Sequence, residues 1–223
     1  MKPLVLAVDT THEFGSVALT RGTETVEERE LHAPGGFAHV IYGELQQLLE
    51  RHCLRLEEVE CFAAASGPGS FTGVRVGLAC IKGLAEACER PAVGVSNLRA
   101  IASFGSLPVR AVLLDARRGD VYGGVYDAGG TALLPETVGS PRAWLEALPE
   151  AEVEFIGMDL TLFQDVLATS RFAHAPRTTA PCALAAAIGR IAAGCLARGE
   201  ACDSAALDAN YVRRSDAELF WKD

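Results

Sequence analysis

The chain is 223 residues long, 49% hydrophobic and 22% charged, with a formal net charge of −9 and a pI near 5.1. That length buries a full core, as one domain or two small ones. The acidity excludes a large nucleic-acid footprint of the chain's own, though not work on RNA inside a complex.

In chain order, Leu4-Val5-Leu6-Ala7-Val8-Asp9 is an apolar run tipped by an acid, the pattern of a strand covered on both faces. A polar turn over 10–14 leads to a second strand over 15–19, closed by Gly22, and a helix is predicted over 38–53. Next come a strand over 61–65, a helix over 72–89, a short strand over 91–95 and a helical turn or two over 97–104. Ala111-Val112-Leu113-Leu114-Asp115 then repeats the acid-tipped strand, with a turn at Ala116-Arg117-Arg118 and a partner strand over 119–126. Helices over 141–148, 160–168 and 181–198 and a strand over 153–156 complete the reading. Acid-tipped strand, turn and glycine-led second strand thus open both halves, which suggests a duplicated α/β unit divided near 102–108, giving domains 1–105 and 106–223.

No stretch is long enough for an uncharged membrane span, and the first residues lack a signal-peptide pattern, so the expected compartment is the cytoplasm. The seven cysteines (53, 61, 80, 88, 182, 195 and 202) form no CxxC and read as reduced, mostly buried thiols; no zinc site is expected.

The most specific motif is Gly67-Pro68-Gly69-Ser70-Phe71-Thr72-Gly73-Val74-Arg75-Val76-Gly77, placed between a strand and a helix. Gly67 and Gly69 permit positive φ, and Ser70 or Thr72 can cap the helix. Such a turn can hold an anion on its backbone N–H groups, or it can be a tight connection that holds nothing. It is neither a P-loop nor a dinucleotide fingerprint. Candidate anion or nucleotide contacts are Asp9, Thr10, Thr11, Gly67, Gly69, Ser70, Thr72 and Asp115.

Between 72 and 89 the only charges are Arg75, Lys82, Glu86 and Glu89, all within one narrow wedge of a helix. The apolar remainder needs cover from the sheet and from something else, either the 38–53 helix or another subunit. Candidate partner-binding residues are Ile41, Leu45, Leu48, Val74, Leu78, Ile81 and Ala85.

Leu6-Ala7-Val8-Asp9-Thr10-Thr11, the glycine–proline motif, Asp115-Ala116-Arg117-Arg118 and the closing Asn210-Tyr211-Val212-Arg213 together resemble the bacterial TsaB family. Ala209 stands where that family usually has proline. The resemblance implies the duplicated, ribonuclease H-like α/β fold of actin, sugar kinases and heat-shock-chaperone ATPases, with two mixed-sheet subdomains. It also implies an accessory subunit for making threonylcarbamoyladenosine beside the tRNA anticodon. Such a subunit is a non-catalytic relative of TsaD that pairs with it and recruits the TsaE ATPase.

The HxxxH metal pair of catalytic relatives is incomplete, since His39 is followed four positions later by Gly43. Gly157-Met158-Asp159 is a thin remnant of an adenosine loop. No catalytic residue, metal or cofactor is therefore expected; tRNA is reached only indirectly, and a homodimer can form when TsaD is absent. The alternative is an ATP-dependent phosphotransferase or hydrolase using Asp9 and Asp115. A peptidase built on Ser66, Ser70 or Thr72 is remote, because no histidine is close in sequence. The adjacent arginine pairs, Arg117 with Arg118 and Arg213 with Arg214, can touch phosphates or simply be solvated.

Overall fold

A computed structural model describes residues 2–213; Arg214 of the second arginine pair lies outside them. The first elements are β1 (Leu4–Asp9), β2 (Phe14–Arg21), β3 (Glu24–His32), α1 (Ile41–Arg51), β4 (Cys61–Gly67), α2 (Phe71–Ala87), β5 (Ala92–Ser96) and α3 (Asn97–Ala102). They are followed by β6 (Val109–Asp115), β7 (Val121–Asp127), β8 (Ala132–Gly139), α4 (Pro141–Glu146), β9 (Glu154–Gly157), α5 (Gln164–Ala168), β10 (Arg177–Thr179) and α6 (Ala185–Ala197).

Two five-stranded sheets result, ordered β3-β2-β1-β4-β5 and β8-β7-β6-β9-β10. In each, the first three strands are antiparallel neighbours and the fourth and fifth run parallel to the first. The topology is the same twice over, so the duplication suggested by the acid-tipped strands extends to whole units.

Within the described residues, the compact units are residues 2–97 with 182–210, and residues 98–181 with 211–213. The expected single division near residue 105 is therefore replaced by a chain that leaves the first unit after Asn97 and returns at Cys182. The reason lies in α6. It is almost uncharged, and it covers the face of the first sheet opposite α1 and α2. Its Gly189 lies against Ala7 and Thr20, and its first N–H groups donate to Ser16 Oγ (from Leu184 and Ala185) and to Glu28 (from Ala186).

The third strand of each unit had no sequence signal. β3 is dominated by charge and β8 carries Pro135, and both are edge strands, where charge and proline are tolerated. β3 is tied to α1 by Glu27, which bonds Arg51 and His52, and by Arg29, which pairs with Glu44 at 2.9 Å. The other edge, β5, is met by an extended strap. Ala92 and Cys202 exchange backbone bonds, Ser204 reaches Glu86 of α2, and Leu207 is buried in the core beneath it.

α1 and α2 pack on the first sheet with Leu6, Val8, Val17, Leu19 and Phe62 beneath them. Ile41, Leu45, Leu48, Val74, Leu78, Ile81 and Ala85 are all buried there by the chain itself. As accessible contact residues they are corrected: roughly half the circumference of α2, from Cys80 round to Leu78, already faces the core. Each such aliphatic side chain is worth about 1.5–3 kcal/mol where it is. What α2 leaves exposed is Phe71, Thr72, Arg75, Ala79, Gly83, Glu86 and Ala87.

Candidate functional site

The glycine–proline motif forms the turn from β4 into α2, and the structure brings it against the turn after β1. Asp9 is fully buried; its Oδ1 accepts from the Thr11 N–H at 2.9 Å and from the Thr11 hydroxyl at 2.6 Å. That hydroxyl also accepts from Asn97 Nδ2 at 2.7 Å and lies 2.8 Å from His12 Nδ1. Asn97 Oδ1 in turn accepts the Gly67 N–H. Asp9 Oδ2 has no hydrogen-bond partner among the described residues.

Three N–H donors of the turn are spent on the protein. Gly67 N–H goes to Asn97, Ser70 N–H to the Thr11 carbonyl at 2.7 Å, and Gly73 N–H to Ser70 Oγ at 3.3 Å. Thr10 Oγ1 donates to the Gly73 carbonyl at 2.7 Å. The glycines serve this contact: a Cβ at residue 73 would lie 2.0 Å from the Thr10 carbonyl oxygen, and one at residue 69 would lie 2.7 Å from that of Thr11. Of the candidate anion contacts, Asp9, Thr10, Thr11, Gly67, Gly69 and Ser70 are indeed assembled, but as a self-locked joint. Thr72 is exposed on α2. An anion placed here would also meet the buried Asp9 carboxylate.

Asp115 belongs to the other unit and caps its own turn. Its Oδ1 accepts the Arg117 N–H at 2.8 Å, and its side chain is 37% exposed. Arg117 and Arg118 both hold left-handed backbones, and Arg213 pairs with Asp120 and donates to the Ala116 carbonyl. Among the described residues, no group of three or more His, Cys, Asp or Glu is placed to hold a metal ion. Burial pushes the Cys61 thiol up to about 12 and the Cys80 thiol to about 11, so neither is a ready nucleophile. No helix of the described residues is long and apolar enough to cross a membrane.

Sequence reading missed Asn97, the residue that joins both turns, because a single asparagine after a strand carries no motif. It also missed the uncharged exposed strip of α1 and α2. Tyr42 is 55% exposed, and Gly43, Ala79 and Gly83 lie open to solvent on the same helices. Tyr42 Oη is 3.9 Å from where a Gly83 Cβ would sit and bonds the Cys80 thiol, so the two helices adjoin along this strip.

Two copies of one five-stranded order with flanking helices define a duplicated, ribonuclease H-like α/β protein. The (R)-2-hydroxyglutaryl-CoA dehydratase component A of Acidaminococcus fermentans shares that fold, with a TM-score of 0.54 over 87% of this chain and 99% of its own, at 10% identity. A family model described as TsaD, tRNA N6-adenosine threonylcarbamoyltransferase, matches residues 35–212.

The Bacillus subtilis tRNA threonylcarbamoyladenosine biosynthesis protein TsaB is 31% identical over 97% of both chains, and its Escherichia coli namesake is 37% identical over 55% of this chain and 54% of its own. A Pseudomonas aeruginosa structure, described as an uncharacterized protein with similarity to peptidase YEAZ, superposes with a TM-score of 0.81 at 26% identity, covering 95% of this chain and all of that one. The chain belongs to the TsaB family, whose named members serve tRNA threonylcarbamoyladenosine biosynthesis.

Proposed function

We propose that this protein is a non-catalytic accessory subunit for threonylcarbamoyl transfer to tRNA. It pairs with TsaD through the exposed strip of α1 and α2, and the pair receives TsaE. The observation that carries this reading is the strip itself: Tyr42, Gly43, Thr72, Ala79, Gly83 and Ala87 are exposed and uncharged on two adjoining helices. Small residues there let a partner's helices approach closely, and one protruding aromatic supplies an anchor. The charged wedge of Arg75, Lys82 and Glu86 borders the strip, and Arg75 is stacked 3.5 Å over Phe71. The same strip accounts for a homodimer when TsaD is absent.

Nucleotide chemistry by the chain alone has less support, because the Gly67, Ser70 and Gly73 N–H groups of the glycine motif are used internally and the two acids sit in separate units. The acidic balance counts against direct tRNA binding.

The test is association with purified TsaD, together with reconstituted modification activity. Gly43→Arg and Gly83→Arg introduce charge where no neighbouring atom is closer than 3.9 Å, so the fold tolerates them. They should weaken TsaD binding by about 10-fold or more. Unchanged affinity in both variants refutes the strip as the contact, and submicromolar Mg-ATP binding abolished by Asp9→Asn would favour the enzyme alternative.

A further inference from the structure

Residues of α4 and of the end of α5 line a cavity of about 250 Å³ inside the second unit. Its apolar lining is Leu145, which is buried, and the half-buried Val166. Its polar lining is Arg142, Glu146, Thr169, Ser170 and Arg171. Drug-sized ligands fill about 300–1,000 Å³, so the occupant of this space is a smaller molecule.

The polar groups divide into donors and acceptors. Thr169 Oγ1 donates its proton to the Asp165 carbonyl at 2.9 Å, and Ser170 Oγ donates to the Leu167 carbonyl at 2.8 Å. Both hydroxyls can therefore offer a ligand only lone pairs, as the Glu146 carboxylate does. The donors are the two guanidinium groups. Arg171 is held in place by donating to the Leu148 carbonyl and by lying 4.8 Å over the Phe172 ring. Its ion pair with Glu150 is loose, at 3.8 Å to a carboxylate that is 94% exposed. Arg142 and Glu146 stand one helical turn apart on α4, yet neither side chain has a hydrogen bond or ion pair among the described residues.

Two guanidinium groups suit a carboxylate, and a carboxylate with two accepting hydroxyls suits an ammonium. A simple anion would be repelled by Glu146, and a simple cation by the arginines. We propose that this cavity binds a small free α-amino acid. Its carboxylate lies on Arg142 and Arg171, its ammonium on Glu146 with the Thr169 and Ser170 hydroxyls, and its side chain against Leu145 and Val166. The ligand bridges α4 and α5. The inference is independent of the TsaD pairing.

The test is calorimetric titration of the full chain with L-serine, L-valine and L-leucine, with backbone amide shifts read at 142–146 and 166–171. At least one should bind with a Kd of about 1 mM or tighter and move those amides. For that amino acid, N-acetylation removes the ammonium and amidation removes the carboxylate, and each should weaken binding about 10-fold or more. Arg142→Gln and Glu146→Gln, both at exposed positions, should weaken it as much while leaving the ligand-free melting temperature unchanged. The proposal is overturned if none of the three binds at about 10 mM, or if the shifted amides lie elsewhere. Equal binding of the N-acetyl derivative would overturn it by assigning the cavity to the C-terminus of a peptide. Equal binding of acetate would overturn it by reducing the cavity to a carboxylate site.

Discussion

The turn after β1 and the turn after β6 are the same device in two settings. Each ends an apolar strand on an aspartate that captures the N–H two residues on, at 2.9 Å for Asp9 and 2.8 Å for Asp115. Asp9 is then sealed under the glycine motif and bonded through Thr11 to Asn97. Asp115 remains more than a third exposed, followed by two arginines in left-handed conformation. The difference follows from the connection between the fourth and fifth strands. In the first unit it is the 17-residue α2, whose start presses on the β1 turn. In the second it is a 3₁₀ turn and the 5-residue α5, which leave the hairpin open. The same local chemistry becomes a structural joint in one unit and an accessible surface in the other.

The sharpest way to break that contrast is at the glycines. Gly73→Ala puts a methyl 2.0 Å from the Thr10 carbonyl and should cost about 3 kcal/mol or more, seen in urea denaturation or as failure to fold. Gly119→Ala, in the open hairpin at φ +83 with nothing within 4 Å, should cost about 1 kcal/mol, all of it backbone strain. Equal costs would deny that the first turn is a packed joint. Next in size, Asp9→Ala leaves the Thr11 N–H and hydroxyl without their acceptor and should cost about 2–3 kcal/mol. Asp115→Ala should cost about 0.5–1 kcal/mol, because water replaces the lost partner.

These particulars show what the sequence could carry. The acid-tipped strands, the glycine motif and the fold they imply were legible because periodicity and turn chemistry are local. The third strands were not, since an edge strand is defined by its neighbour's unpaired backbone and not by its own side chains. The buried state of Val74, Leu78, Ile81 and Ala85 was misjudged for a related reason. A helix pattern gives the width of the apolar face but not how much of it the sheet covers. Asn97 could be placed only once β5 had brought it beside β4 and the β1 turn.

The second unit has its own sealed carboxylate, displaced to the fourth strand. Glu154 of β9 is 2% exposed and accepts from the Ser106 N–H at 2.6 Å, the Leu107 N–H at 2.8 Å and the Thr178 hydroxyl at 2.5 Å. Burial alone would push its pKa up, but these donors outweigh it and hold the group below the ordinary 4.5. A carboxylate with a depressed folded pKa contributes stability above the unfolded value and loses it as pH falls through the folded one. Glu154→Gln should therefore cost about 1–2 kcal/mol at pH 7, where wild type holds the charge. The gap to wild type should narrow steadily as the pH is taken from 5 toward 3, when the native carboxylate protonates. Urea titrations at pH 7, 5, 4 and 3 give the answer, and a gap that stays constant throughout would mean that the Glu154 charge does not stabilise the 106–107 turn.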